Sequence, residues 1–71
     1  VPPRLSEFAI LVTAKLWRAQ YEWFAHVPQA TRAGVKPETI ADLHKGRVPK
    51  SAPKDERAIY EFIQELYKSG A

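Results

Sequence analysis

The chain has no cysteine and no methionine among its 71 residues, and only two histidines, His26 and His44. Without thiols there can be no disulfide, no thiolate metal site and no catalytic thiol on this chain. Two imidazoles alone are too few for a zinc site, so no metal is expected. Charge of one sign is scarce as well. The 11 Lys+Arg and 8 Asp+Glu leave a net charge of +3 with the signs interspersed, the pattern of a solvated surface rather than of a stripe for nucleic acid. The longest apolar run, Phe8 to Val12, falls far short of the roughly 20 residues that span a bilayer. No basic stretch leading into a long apolar one opens the chain, as a signal peptide would. The expectation is no membrane partner and a cytoplasmic location. No glycine-rich nucleotide loop, G-x-G-x-x-G turn or nucleophile elbow occurs, which points to a chain that works without a cofactor. A domain this short buries only about 60% of the surface its unfolded form exposes. Lacking a disulfide or metal staple, it is expected to draw stability from partner chains or from further chain beyond Ala71.

What is present reads as helix. Ser6 precedes a dense apolar segment and is the expected N-cap, with Glu7 in the first turn facing the helix dipole. The first helix then extends to about Trp17. Its Phe8, Ala9, Ile10, Leu11, Val12, Ala14, Leu16 and Trp17 point in nearly every direction around the axis, so it must be covered on all sides. A second segment, Gln20 to Ala33, stops at Gly34 and is expected to kink at Pro28, which removes a donor and crowds the carbonyl of Phe24. A third starts with Pro37, buries Ile40, Ala41 and Leu43, and stops at Gly46. Arg47 to Ala52 is a loop. The fourth helix opens at Pro53 and runs to about Lys68, with Ile59, Phe62, Ile63 and Leu66 repeating at i, i+3, i+4, i+7 as one apolar stripe. No segment alternates with the two-residue period of a strand. The reading is all-α, a bundle of about four helices in a single domain over residues 1–71.

Glu22 and His26 stand four apart on one helix and share a face. A carboxylate beside an imidazole is a proton-transfer pair. The same spacing also fits a surface pair, or a chain with Arg18, itself four residues from Glu22. Trp17, Tyr21 and Trp23 cluster about the first helix junction and are expected either to line an apolar pocket for a small substrate or to fill the core. His44, near the end of the third helix, is expected to tend that helix's last carbonyls.

Taken together, Arg4-Leu5-Ser6-Glu7, Ala19-Gln20-Tyr21-Glu22-Trp23, Ala25-His26, Ala30 and Gly34-Val35 resemble the carboxymuconolactone decarboxylase-like family. Ile40, Gly46, Pro49 and Asp55-Glu56-Arg57-Ala58-Ile59-Tyr60 continue the likeness over nearly the whole chain. The alkylhydroperoxidase branch of that family places a Cys-x-x-Cys pair ahead of the histidine. Counting back from His26, those positions here hold Ala19 and Glu22, so thiol peroxidase chemistry is not expected. By resemblance Glu7 and His26 match the family's proton-relay glutamate and histidine, with Glu22 tuning the pair. The implied activity is lyase-like: decarboxylation or proton transfer on a small organic acid or lactone. The resemblance further implies a homo-oligomer, trimer or hexamer, and a larger helical domain that continues with two or three more helices after Gly70.

Two other readings use the same residues. Ala30-x3-Gly34-Val35, Thr39-Ile40, Leu43 and Gly46-Arg47 satisfy the spacing of a helix-turn-helix DNA reader, although Glu38 and Asp42 are unhelpful beside phosphates and the expectation is against a nucleic-acid partner. A non-catalytic helical subunit that keeps the fold for assembly is the third.

Overall fold

Two prolines set where the chain turns helical. In the computed structural model, which describes residues 2–68, Pro3 occupies the first position of α1 (Pro3–Leu16), where its missing N–H goes unused and its fixed φ suits the helix. Pro2 is the N-cap, and its carbonyl accepts the Ser6 N–H at 3.0 Å. The helix therefore starts one turn ahead of the expected Ser6 cap. Ser6 lies inside it, and Glu7 lies beyond the first turn, which holds no acidic residue. Three further helices follow, α2 (Gln20–Ala33), α3 (Pro37–His44) and α4 (Lys54–Lys68), and no strand occurs among the described residues.

The same device closes each of the first three helices. After α2 the Gly34 N–H reaches the Thr31 carbonyl at 3.2 Å and the Val35 N–H reaches that of Ala30 at 3.0 Å, with Gly34 at φ 110°. Ala30 and Val35, both buried, supply the apolar contact that accompanies this Schellman turn. After α3 the bonds run from Gly46 to Leu43 at 3.1 Å and from Arg47 to Asp42 at 2.8 Å, with Gly46 at φ 75°. After α1 they run from Arg18 to Lys15 at 3.2 Å and from Ala19 to Ala14 at 2.8 Å. Here the left-handed position holds Arg18, at φ 55°, although a residue with a Cβ meets a steric cost of about 1–2 kcal/mol in that region. Arg18→Gly is accordingly expected to raise the melting temperature by roughly 2–6 °C, the strain relieved less glycine's extra unfolded-state entropy. Thermal denaturation followed by circular dichroism reads the change, and a lower melting temperature would contradict it.

α1 packs against α2, α3 and α4, and the principal helix contacts all involve it. Phe8, Leu11, Val12 and Ala14 from α1 meet Trp23, Ala30, Val35, Leu43 and Ile63 in one core. Its all-round apolar surface is thus largely covered within the chain, while Leu16 and Trp17 emerge at its end. α2 is continuous through Pro28, whose ring lies on the exposed side. In α3, Ala41 is exposed and Thr39 is buried in its place beside Leu43, with Ile40 partly covered.

α4 is rotated from the expected stripe. Ile63 is buried and Ile59, Tyr60 and Tyr67 are partly covered, but Phe62 is 67% exposed and Leu66 43%. Glu56, only 1% exposed, lies on the same inward face as Ile63. Arg4 holds it through an Nη1 to Oε2 bond and forks onto Asp55, with Nη2 to Oδ2 at 2.5 Å and Nη1 to Oδ1 at 3.3 Å. Those hydrogen bonds from Arg4 pull the Asp55 carboxyl below its ordinary range and raise the guanidinium's own pKa in return. Glu56 Oε1 and Thr39 Oγ1, both buried, have no hydrogen-bond partner among the described residues.

Candidate functional site

The tight turn at Trp17–Ala19 folds α1 and α2 into a helical hairpin, so a residue near the start of α1 faces one in the middle of α2. Glu7 Oε1 and His26 Nδ1 meet at 2.8 Å across it, with side chains 17% and 27% exposed. Glu7 is too far into α1 to serve the dipole, and the imidazole is its one side-chain partner among the described residues. With Glu7 ionised, Nδ1 carries the ring proton and donates it to the carboxylate, which leaves Nε2 as the basic nitrogen. No hydrogen bond engages Nε2 among the described residues. A general base oriented by a carboxylate on its far nitrogen is a recurrent arrangement for moving protons.

Glu22 does not bond to His26. It is exposed, and its side chain makes no hydrogen bond or ion pair with the described residues, Arg18 included. It sits one helical turn before His26, as Ile10 sits one turn after Glu7. Ile10 and Glu22 both line a cleft of about 360 Å³, together with Ala9, Thr13 and Trp17. Neither Glu7 nor His26 lines the cleft itself, which begins about one helical turn from the pair along the hairpin seam. Trp17 forms its wall and is braced from α4: Nε1–H donates to the Tyr67 hydroxyl at 2.9 Å, and the rings meet edge to face with centroids 5.7 Å apart.

The three aromatics singled out in the sequence do not share one wall. Trp17 faces this cleft, Tyr21 is 80% exposed and lines neither of the two clefts at the junction, and Trp23 is 5% exposed in the core. Trp23 instead borders a second cleft, of about 610 Å³, whose lining includes Lys15, Arg18 and His44. His44 does not tend the carbonyls of α3. Its ring lies against Trp23 and Phe24, with centroids 5.3 and 6.3 Å away, and Lys15 Nζ donates to the His44 carbonyl at 2.5 Å. The brace from Tyr67 and this second cleft were not evident in the sequence, because both depend on how α3 and α4 dock onto α1.

Among the described residues no three His, Asp or Glu side chains converge as metal ligands would, and no helix is long and apolar enough to cross a membrane. Comparison with known protein families, curated proteins and solved structures finds no match for this chain.

Proposed function

We propose that this chain is a carboxymuconolactone decarboxylase-like protein that acts on a small organic acid or lactone by cofactor-free proton transfer. The observation that carries the reading is the 2.8 Å contact between Glu7 and His26, which joins two helices about one helical turn from an apolar cleft and serves neither helix end. A carboxylated, conjugated lactone brings its own electron sink. On loss of carbon dioxide the carbon–carbon bonding pair moves into the conjugated carbonyl system, and the resulting dienolate carbon takes one proton. In the imidazolium form, whose charge Glu7 offsets at Nδ1, His26 Nε2–H delivers that proton and the neutral ring regains one from water, while Trp17 offers a flat apolar wall for the substrate ring. Glu22, at the cleft edge, tunes the local field. The test follows carbon dioxide release from a panel of carboxylated butenolides in D2O, together with one deuterium taken up at a carbon of the dienolate, either next to the carbonyl or where the carboxylate was lost. Turnover no greater than that of the His26→Asn variant would sink the proposal.

The same reading includes a homo-oligomer, trimer or hexamer. It is supported by the large apolar side chains left uncovered on one short chain: Trp17 at 66%, Tyr21 at 80%, Phe24 at 64% and Phe62 at 67% exposed. Apolar surface of that kind marks association sites. Light scattering is expected to give a mass that is a multiple of 8.1 kDa, and Phe62→Asp is expected to lower it. A monodisperse, cooperatively melting monomer at micromolar concentration contradicts the assembly.

A further inference from the structure

The second cleft, on the other side of the α1–α2 junction, collects cationic charge without an acid to balance it. Its lining includes Lys15, Arg18, Gln20, Trp23, Phe24 and His44, and no carboxylate. Of the other cations, Arg4 is paired with Asp55 and Glu56 and Lys36 with the Ser51 carbonyl, and the rest stand exposed on the surface. Lys15 commits one N–H to the His44 carbonyl and keeps two. The Arg18 guanidinium has no protein partner among the described residues. Arg18 is also the one described non-glycine residue held at positive φ, in a turn whose two counterparts use glycine. Strain kept at a single position points to a role for its side chain. Opposite the cations, Trp23, Phe24 and the tilted His44 ring make an aromatic corner. The volume of about 610 Å³ lies in the range of small-molecule sites.

We infer that this cleft is a binding site for a small aromatic carboxylate, its anion held by Arg18 and Lys15 and its ring laid in the corner of Trp23, Phe24 and His44. A guanidinium takes a carboxylate through two parallel N–H bonds, and the aromatic corner offers edge and face contacts to a flat ring. The site is separate from the Glu7–His26 pair, none of whose atoms line it.

Benzoate is the probe, with benzamide as its neutral counterpart and inorganic phosphate as an anion without a ring. Titration of the labelled protein, followed by NMR, is expected to show benzoate shifting the Trp23 indole, Phe24 and His44 signals while leaving those of Glu7 and His26 in place. Benzamide and phosphate should each bind about tenfold or more weakly, the fold-change expected for losing a charge-assisted bond or the apolar contact. Arg18→Gly is the deciding variant because glycine suits the φ of that position, so the fold is retained. It should melt at or above the wild type and bind benzoate about tenfold or more weakly. The inference is overturned if benzoate does not bind, if benzamide or phosphate matches it, if the shifts centre on Glu7 and His26, or if Arg18→Gly binds benzoate as the wild type does.

Discussion

Arg4→Met lowers the melting temperature by on the order of 10 °C or more, because it leaves a buried carboxylate without its counter-charge. Glu56 is the reason for so large an effect. It is 1% exposed, one of its oxygens already lacks a partner, and the other is held by Arg4 alone. Arg4 also ties the start of α1 to the start of α4, so the same change loosens two elements. Replacing both partners, Arg4→Met with Glu56→Met, recovers most of the loss, since an apolar pair of similar volume carries no desolvation penalty. The pH dependence has a defined sign. Asp55 titrates below its ordinary value of 3.8 through its hydrogen bonds with Arg4. The stability it contributes is therefore complete above that value and is lost as pH falls through the lower folded one. Acid titration of stability should show this limb in the wild type and a flatter one in Arg4→Met. A variant melting within about 2 °C of the wild type would show that the cluster contributes little.

His26→Asn is expected to reduce turnover by about 10²–10⁴-fold, the range for removing a positioned general acid or base, while changing the melting temperature little. The pair is partly exposed, at 17% and 27%, and such ion pairs contribute roughly 0–1 kcal/mol to stability. Glu7→Gln keeps the shape but removes the charge that orients the ring, and should lose less than His26→Asn does. Once His26 is gone, the Glu7 change should cost almost nothing further, as for residues that act as one unit. Glu22→Gln, at the cleft edge, weakens turnover without affecting this coupling. A structural pair behaves in the opposite way: both variants lower the melting temperature, and activity per folded molecule stays intact. Turnover and melting measured on the same samples separate the two.

The helices were legible because their signals are local. Pro37, Gly34 and Gly46 mark ends through backbone geometry alone, and α2 has the span read from its apolar spacing. α1 began a turn early because a proline at the first position outranks a serine four residues in. The rotation of α4 was hidden for a different reason. Its apolar residues span a broad arc, and the buried face also carries Glu56, whose partner Arg4 lies 52 residues earlier. The functional pair shows the same division. His26 could be singled out by spacing, but spacing offered Glu22 as its partner, whereas the hairpin supplies Glu7 from the neighbouring helix. No periodicity within one segment can report a contact made between two.

That α1 is the shared partner of the other three helices has a consequence for the order in which the chain assembles. α1 and α2 are joined by a three-residue turn, so their hairpin closes at small entropic cost and on a fast timescale. The contacts of α1 with α4, such as Arg4 with Asp55 and Trp17 with Tyr67, span 51 and 50 residues and must wait. During synthesis at about 5–20 residues per second, α1 spends several seconds with the side of its core meant for α4 uncovered. The hairpin that carries Glu7 and His26 is therefore expected to form first, with α4 as the later cover that braces Trp17. Substitutions at the Ala14–Ala19 corner are expected to slow folding and those at Ile63 to speed unfolding, which the two arms of a denaturant chevron would read.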